Sequence, residues 1–143
     1  MIGLILSGHG NFASGLHTSL KLIAGEPCNI EYVDFEETDS IEDLRKKYYN
    51  SLKNLNNCDN ILALSDLAGG SPFKTLVEVK TEIEKPMEVV SGTNLPMILE
   101  MSMTKDIIDD LHSLSESAIE VGKSGIVKFE FIVHEDNESE DGI

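Results

Sequence analysis

Ile2-Gly-Leu-Ile-Leu-Ser-Gly-His-Gly-Asn11 is the stretch on which the fold turns. Its first part is apolar at nearly every position rather than at alternate ones, as in a strand covered on both faces; it then breaks into glycines around a histidine. Ile61-Leu-Ala-Leu-Ser65 repeats the continuous apolar run further along. Strands are expected at Ile2–Ser7, Asn29–Asp34, Asn60–Ser65 and Glu88–Ser91, alternating with helix-period segments, which is the signature of βαβ units and a parallel sheet. The expected architecture is a single α/β domain: an open, mainly parallel, doubly wound sheet in the order 2-1-3-4, flanked by helices.

Phe12, Ala13, Leu16, Leu20 and Ile23 recur at helical spacing, as do Ile41, Leu44, Tyr48, Leu52 and Leu55. Gly25 is expected to stop the first helix, and Asp39 with Glu42 to form a capping box for the second. A third helix is expected from Pro72 to Glu84, a short fourth from Pro96 and a fifth from Lys105 to Gly122. Val127-Lys-Phe-Glu-Phe-Ile-Val133 differs, since Val127, Phe129, Phe131 and Val133 share one face. It is expected to form an antiparallel edge strand and a homodimer contact.

The 143 residues are 41% apolar and 26% charged, the balance of an ordinary folded domain. A formal charge of −15 argues against nucleic acid and anionic membrane surfaces, both of which demand a basic footprint. Part of the acid is concentrated in residues 134–143, expected to be a solvated tail after a domain at 1–133. Cys28 and Cys58 have no second Cys or His at ligand spacing, so cytosolic thiols are expected rather than a zinc or redox site. The apolar N-terminus lacks a basic flank and is far shorter than a membrane helix, so a cytoplasmic protein without membrane insertion is expected. No Gly-x-x-x-x-Gly-Lys, no Gly-x-Gly-x-x-Gly and no paired acid–histidine motif appears, and neither cofactor nor metal is expected.

In an open parallel sheet the productive crevice lies beyond the carboxyl ends of the strands. The loops there are Ser7–Asn11, Asp34–Asp39, Ser65–Pro72 and Ser91–Pro96. Gly8 and Gly10 let a bulky anion approach His9, a candidate nucleophile. Asp66 leaves the neighbouring central strand. A carboxylate accepting Nδ1–H sets the tautomer that leaves Nε2 as the nucleophile, and it stabilises the cationic ring formed on reaction. Gly69-Gly70-Ser71-Pro72 signals a helix start with Ser71 as N-cap, a ready anion site. The same residues also fit a plain structural role: a tight turn at His9, a turn or cap at Asp66, a cap alone at Ser71. Asn94 reads as a cap, and His17, His112 and His134 as surface or packing residues.

Ile5-Leu-Ser-Gly-His-Gly-Asn-Phe-Ala-Ser-Gly-Leu16, Ser65-Asp-Leu-Ala-Gly-Gly-Ser-Pro-Phe73 and Gly92-Thr-Asn-Leu-Pro-Met97, in that order, resemble the IIA component of the mannose/fructose/sorbose class of the bacterial phosphoenolpyruvate-dependent sugar phosphotransferase system. The resemblance implies that His9 takes a phosphoryl group from HPr and passes it to a IIB component, which serves a membrane IIC/IID complex. It further implies that Asp66 orients His9, that Ser71, Gly70 and Gly10 surround the phosphoryl group, and that the protein is a homodimer through its last strand. Ala68 departs from the pattern, where relatives often carry a larger side chain; this bears on partner docking. No linker or IIB domain follows, which implies a free-standing subunit or a truncated form. The phosphotransfer subunit of dihydroxyacetone kinase shares the fold and an early histidine but lacks the Gly-Gly-Ser-Pro loop. Two further readings are a small hydrolase using Ser7 or Ser71 with His9 and Asp66, and a non-catalytic anion-binding regulator.

Overall fold

The computed structural model describes residues 1–133. β1 (Ile2–His9) is buried as far as Gly8, as its unbroken apolar run requires. It lies between β2 (Ile30–Phe35) and β3 (Asn60–Ser65), and β4 (Met87–Val90) lies beyond β3. Every pairing is parallel, in the expected order β2-β1-β3-β4. Ser7 aligns with Ser65 across the β1–β3 ladder, so these two strands deliver their following residues side by side.

Alternate residues of the two central strands serve two cores. Ile2, Leu4, Leu6, Leu62 and Leu64 face α1 (Phe12–Ala24), α4 (Leu95–Thr104) and α5 (Leu111–Ser124). Ile5, Ile61 and Ala63 face α2 (Ile41–Asn54) and α3 (Ser71–Glu82). Each fully buried leucine contributes ~1.5–3 kcal/mol relative to exposure. A one-residue slip of β3 would exchange its two faces, so this double burial fixes the register. Because α1 leaves β1 for one face and α3 leaves β3 for the other, the switch point falls between these strands.

Gly25 ends α1 at φ 80°, and Asn94 caps α4 by accepting from Met97 N–H at 3.2 Å, both as expected. The capping box of α2 lies one residue later than Asp39–Glu42. Ser40 Oγ accepts from Asp43 N–H at 3.0 Å, and Asp43 Oδ2 accepts from Ser40 N–H at 2.9 Å. Asp39 turns back instead to the Glu36 N–H and to Lys47. α3 has Gly70 as its N-cap, so Ser71 and Pro72 are its first two residues and Ser71 is not the cap. The helix expected from Lys105 starts only at Leu111, because Asp110 caps it by accepting from Ser113 N–H at 2.9 Å. Lys105 ends α4 and is buried, its ammonium 3.1 Å from Asp106.

The expected strand at Val127–Val133 forms no ladder among the described residues. Val127, Phe129, Phe131 and Val133 are 82%, 84%, 80% and 77% exposed. A period-two apolar face needs a surface to lie against, and the described residues of this chain supply none there. The acidic tail, with His134, lies outside the described residues.

Candidate functional site

His9 is the last residue of β1, with its side chain 45% exposed. Asp66, the residue after β3, holds it twice through one oxygen: Oδ2 is 2.8 Å from Nδ1 and accepts the His9 backbone N–H at 2.9 Å. An ionised carboxylate can only accept, so the ring carries its proton on Nδ1 and keeps its lone pair on Nε2. Burial pushes the Asp66 carboxyl up. The hydrogen bonds from the His9 backbone and ring, with the charge of that ring, outweigh burial and hold it below the ordinary carboxylate value.

Gly70 packs directly against the imidazole: a Cβ there would lie 2.8 Å from Cε1 and 3.5 Å from Nε2. Gly10 turns the chain at φ 60°, a conformation that side chains disfavour, and donates its N–H to Phe35 O at 2.7 Å. The Phe35 ring stands edge-on to His9, with centroids 6.0 Å apart. Asp34 fixes the start of α1, accepting from Ser14 N–H at 3.0 Å and from its hydroxyl at 2.6 Å. Asp34 and Phe35 are the site residues that motif reading misses. Their signal was positional, since Phe35 is the β2 residue in register with His9.

α3 points its start at the same place. The Ser71 and Phe73 N–H groups have no intrahelical acceptor, and Pro72 has no N–H. Among the described residues the Ser71 hydroxyl makes no hydrogen bond, so it is free to serve the crevice. Ser7 is not. Its buried hydroxyl lies 2.8 Å from Tyr48 Oη, and Tyr48 donates to Pro72 O at 3.2 Å. With the phenol proton so used, Ser7 donates to Tyr48 and is no nucleophile, which removes the Ser7 form of the hydrolase.

His17 stacks on Tyr32 at 3.8 Å and contacts Glu26 at 2.6 Å, a packing role, and His112 is exposed. Cys28 and Cys58 are both free thiols, exposed and buried respectively. Among the described residues no group of three or more His, Cys, Asp or Glu is placed to hold a metal, and no helix is long and apolar enough to cross a membrane.

The EIIA-man family model, described as the PTS system fructose IIA component, matches residues 3–119, a span that contains His9, Asp66 and Ser71. The chain belongs to the EIIA-man family. It is 32% identical over 127 residues to the PTS system fructose-specific EIIA component of Bacillus subtilis (strain 168), covering 85% of this chain and 86% of that protein. It is 31% identical over 125 residues to the PTS system mannose-specific EIIAB component of Escherichia coli (strain K12), covering 87% of this chain and 38% of that longer protein. The phosphotransferase system component EIIA from Streptococcus agalactiae has the same fold, with a TM-score of 0.81 and 31% identity over 90% of this chain and 97% of that one. As a mannose-class EIIA component, the chain belongs to the phosphoryl-transfer machinery of sugar uptake.

Proposed function

We propose that this EIIA-man chain carries a phosphoryl group on His9, taking it from HPr and handing it to a IIB component. The observation that supports this reading is the 2.8 Å contact of His9 Nδ1 with Asp66, on a half-exposed ring beside the start of α3. The Nε2 lone pair forms the new N–P bond while the donor's N–P bond breaks, and that electron pair returns to the donor's ring nitrogen. The Nδ1 proton stays where it is. His9 becomes a phosphoimidazolium whose positive charge Asp66 offsets, and the reverse exchange delivers the group onward. The Ser71 and Phe73 N–H groups and the Ser71 hydroxyl are the donors for the phosphoryl oxygens, while Gly10, whose N–H is taken by Phe35 O, leaves room beside the ring without donating. The step asks for no cofactor.

The domain at 1–133 acts in the cytoplasm as a homodimer joined through residues 127–133. It meets proteins rather than sugar, so its site does not select the sugar; genes beside its own for IIB, IIC and IID would identify it. The test is labelling from phosphoenolpyruvate with enzyme I and HPr. One acid-labile, base-stable phosphoryl per chain is expected, with none on His9→Ala. Full labelling of His9→Ala would overturn the assignment, and steady ester turnover without retained label would favour a hydrolase using Ser71. Phosphate affinity with no covalent label would favour an anion-binding regulator.

A further inference from the structure

We infer that Lys74 is the charge partner of the phosphoryl group on His9, an inference that rests on the carrier reading. The four loops facing the crevice, at 7–11, 34–39, 65–72 and 91–96, contain no Lys or Arg. A dianionic group added there, in a chain already at −15, has to be met by backbone donors or by a cation arriving from just outside those loops. Lys74 is placed to be that cation. Its N–H bonds to Gly70 O at 2.9 Å, which sets it one helical turn after the glycine that packs on the imidazole. It also stands three residues after Ser71, where helical side chains are neighbours. Helical side chains tilt toward the N-terminus and cover the turn before their own Cα. By that geometry the long, exposed stem of Lys74 has the reach to cover the Gly70–Ser71 turn, the turn that packs on the imidazole.

The second observation is that this charge is unspent. Lys74 is exposed and makes no ion pair or hydrogen bond among the described residues. Lys21, Arg45, Lys47 and Lys105 are each paired with carboxylates, and Lys80 and Lys85 donate to backbone carbonyls. Lys46 and Lys53 of α2, Lys123 of α5 and Lys128 beyond it are also unpaired among the described residues, but of these unpaired lysines Lys74 alone belongs to the helix that starts against His9. Lys47, the cation nearest the β2 loop, is held by Asp39 and by Asp34 O. A cation left free one helical turn from the glycine that packs on the imidazole favours the loaded form over the unloaded one. Across a few ångströms of partly solvated space the effect is about three- to tenfold in the exchange equilibrium.

The experiment measures the equilibrium between phospho-HPr and the full chain for wild type, Lys74→Gln, Lys74→Arg and Lys74→Glu at low and at high salt. Lys74→Gln is expected to move the equilibrium about three- to tenfold toward phospho-HPr. Lys74→Glu should move it further, Lys74→Arg should stay within about twofold of wild type, and high salt should shrink the differences. The initial rate at saturating HPr separates a docking role. If wild type labels while Lys74→Gln keeps the wild-type equilibrium, or changes only the KM for HPr, the Lys74 inference is overturned and the carrier reading stands. If wild type fails to label, the carrier reading fails and takes this inference with it.

Discussion

Asp66 Oδ2 binds the backbone and the ring of His9 together, so it sets where the imidazole sits as well as which nitrogen is free. Asp66→Asn should therefore fold normally, with an unchanged melting temperature, but accept phosphoryl from HPr about 10²-fold more slowly, because its amide can offer a donor where the ring needs an acceptor. Rapid-quench transfer assays on the folded variant check this, and a wild-type rate would return Asp66 to the role of a turn residue. Gly70 allows a second, purely steric test. Its backbone, at φ −73°, suits any residue, yet a methyl group there would meet His9 Cε1 at 2.8 Å. Gly70→Ala should consequently leave stability within about 1 kcal/mol of wild type while displacing the imidazole and slowing transfer. Nitrogen-15 spectra of the ring, read beside the thermal melt, would detect the displacement, and an unmoved ring with full activity would refute it.

Two serines at helix starts separate capping from chemistry. Ser40 closes a reciprocal capping box on α2, so Ser40→Ala should cost about 1 kcal/mol of stability and leave transfer alone. Ser71 lies inside α3 and caps nothing, so Ser71→Ala should cost less than about 0.5 kcal/mol but reduce transfer. Chemical denaturation of both variants beside transfer rates decides the matter; a large stability loss at Ser71 would make it structural after all. The same elements show what a linear reading can reach. β1 and β3 were legible because burial on both faces leaves an unbroken apolar run, and His9 and Asp66 were legible because they follow those runs. The cap positions slipped by a residue because Asp39 and Ser40, like Glu42 and Asp43, each satisfy the same local chemistry, and only the folded turn chooses between them. Asp34 and Phe35 fall in a loop assigned to the crevice, but their roles were not legible, because what they supply is a helix cap from a distant strand, a backbone carbonyl and a ring edge, none of which residue type announces.

At the scale of the molecule, the exposed apolar row Val127, Phe129, Phe131 and Val133 is the feature most at odds with a soluble monomer. Its alternation was readable; its partner was not, because period two states which face seeks cover and not which chain provides it. The row is expected to be covered by a second copy of the chain, so sedimentation should report a dimer, and deletion after Gly125 should yield a monomer that still labels on His9. A full-length monomer at micromolar concentration, with 127–133 protected from hydrogen exchange, would show cover from within one chain.

The buried hydroxyl pair of Ser7 and Tyr48 has a kinetic meaning. Ser7 stands two residues before His9, and Pro72, whose carbonyl takes the phenol proton, stands two residues after Gly70. One phenol thus fastens the two jaws of the crevice to each other from behind, where no partner can reach. A carrier that meets a donor and then an acceptor gains from such stiffness, since neither encounter has to order the site afresh. Exchange should then be limited by how often proteins collide in the right orientation rather than by rearrangement after they touch. Tyr48→Phe, which unties the jaws without touching either partner's footprint, should slow loading and unloading by the same factor, and stopped-flow measurement of both half-reactions would show it.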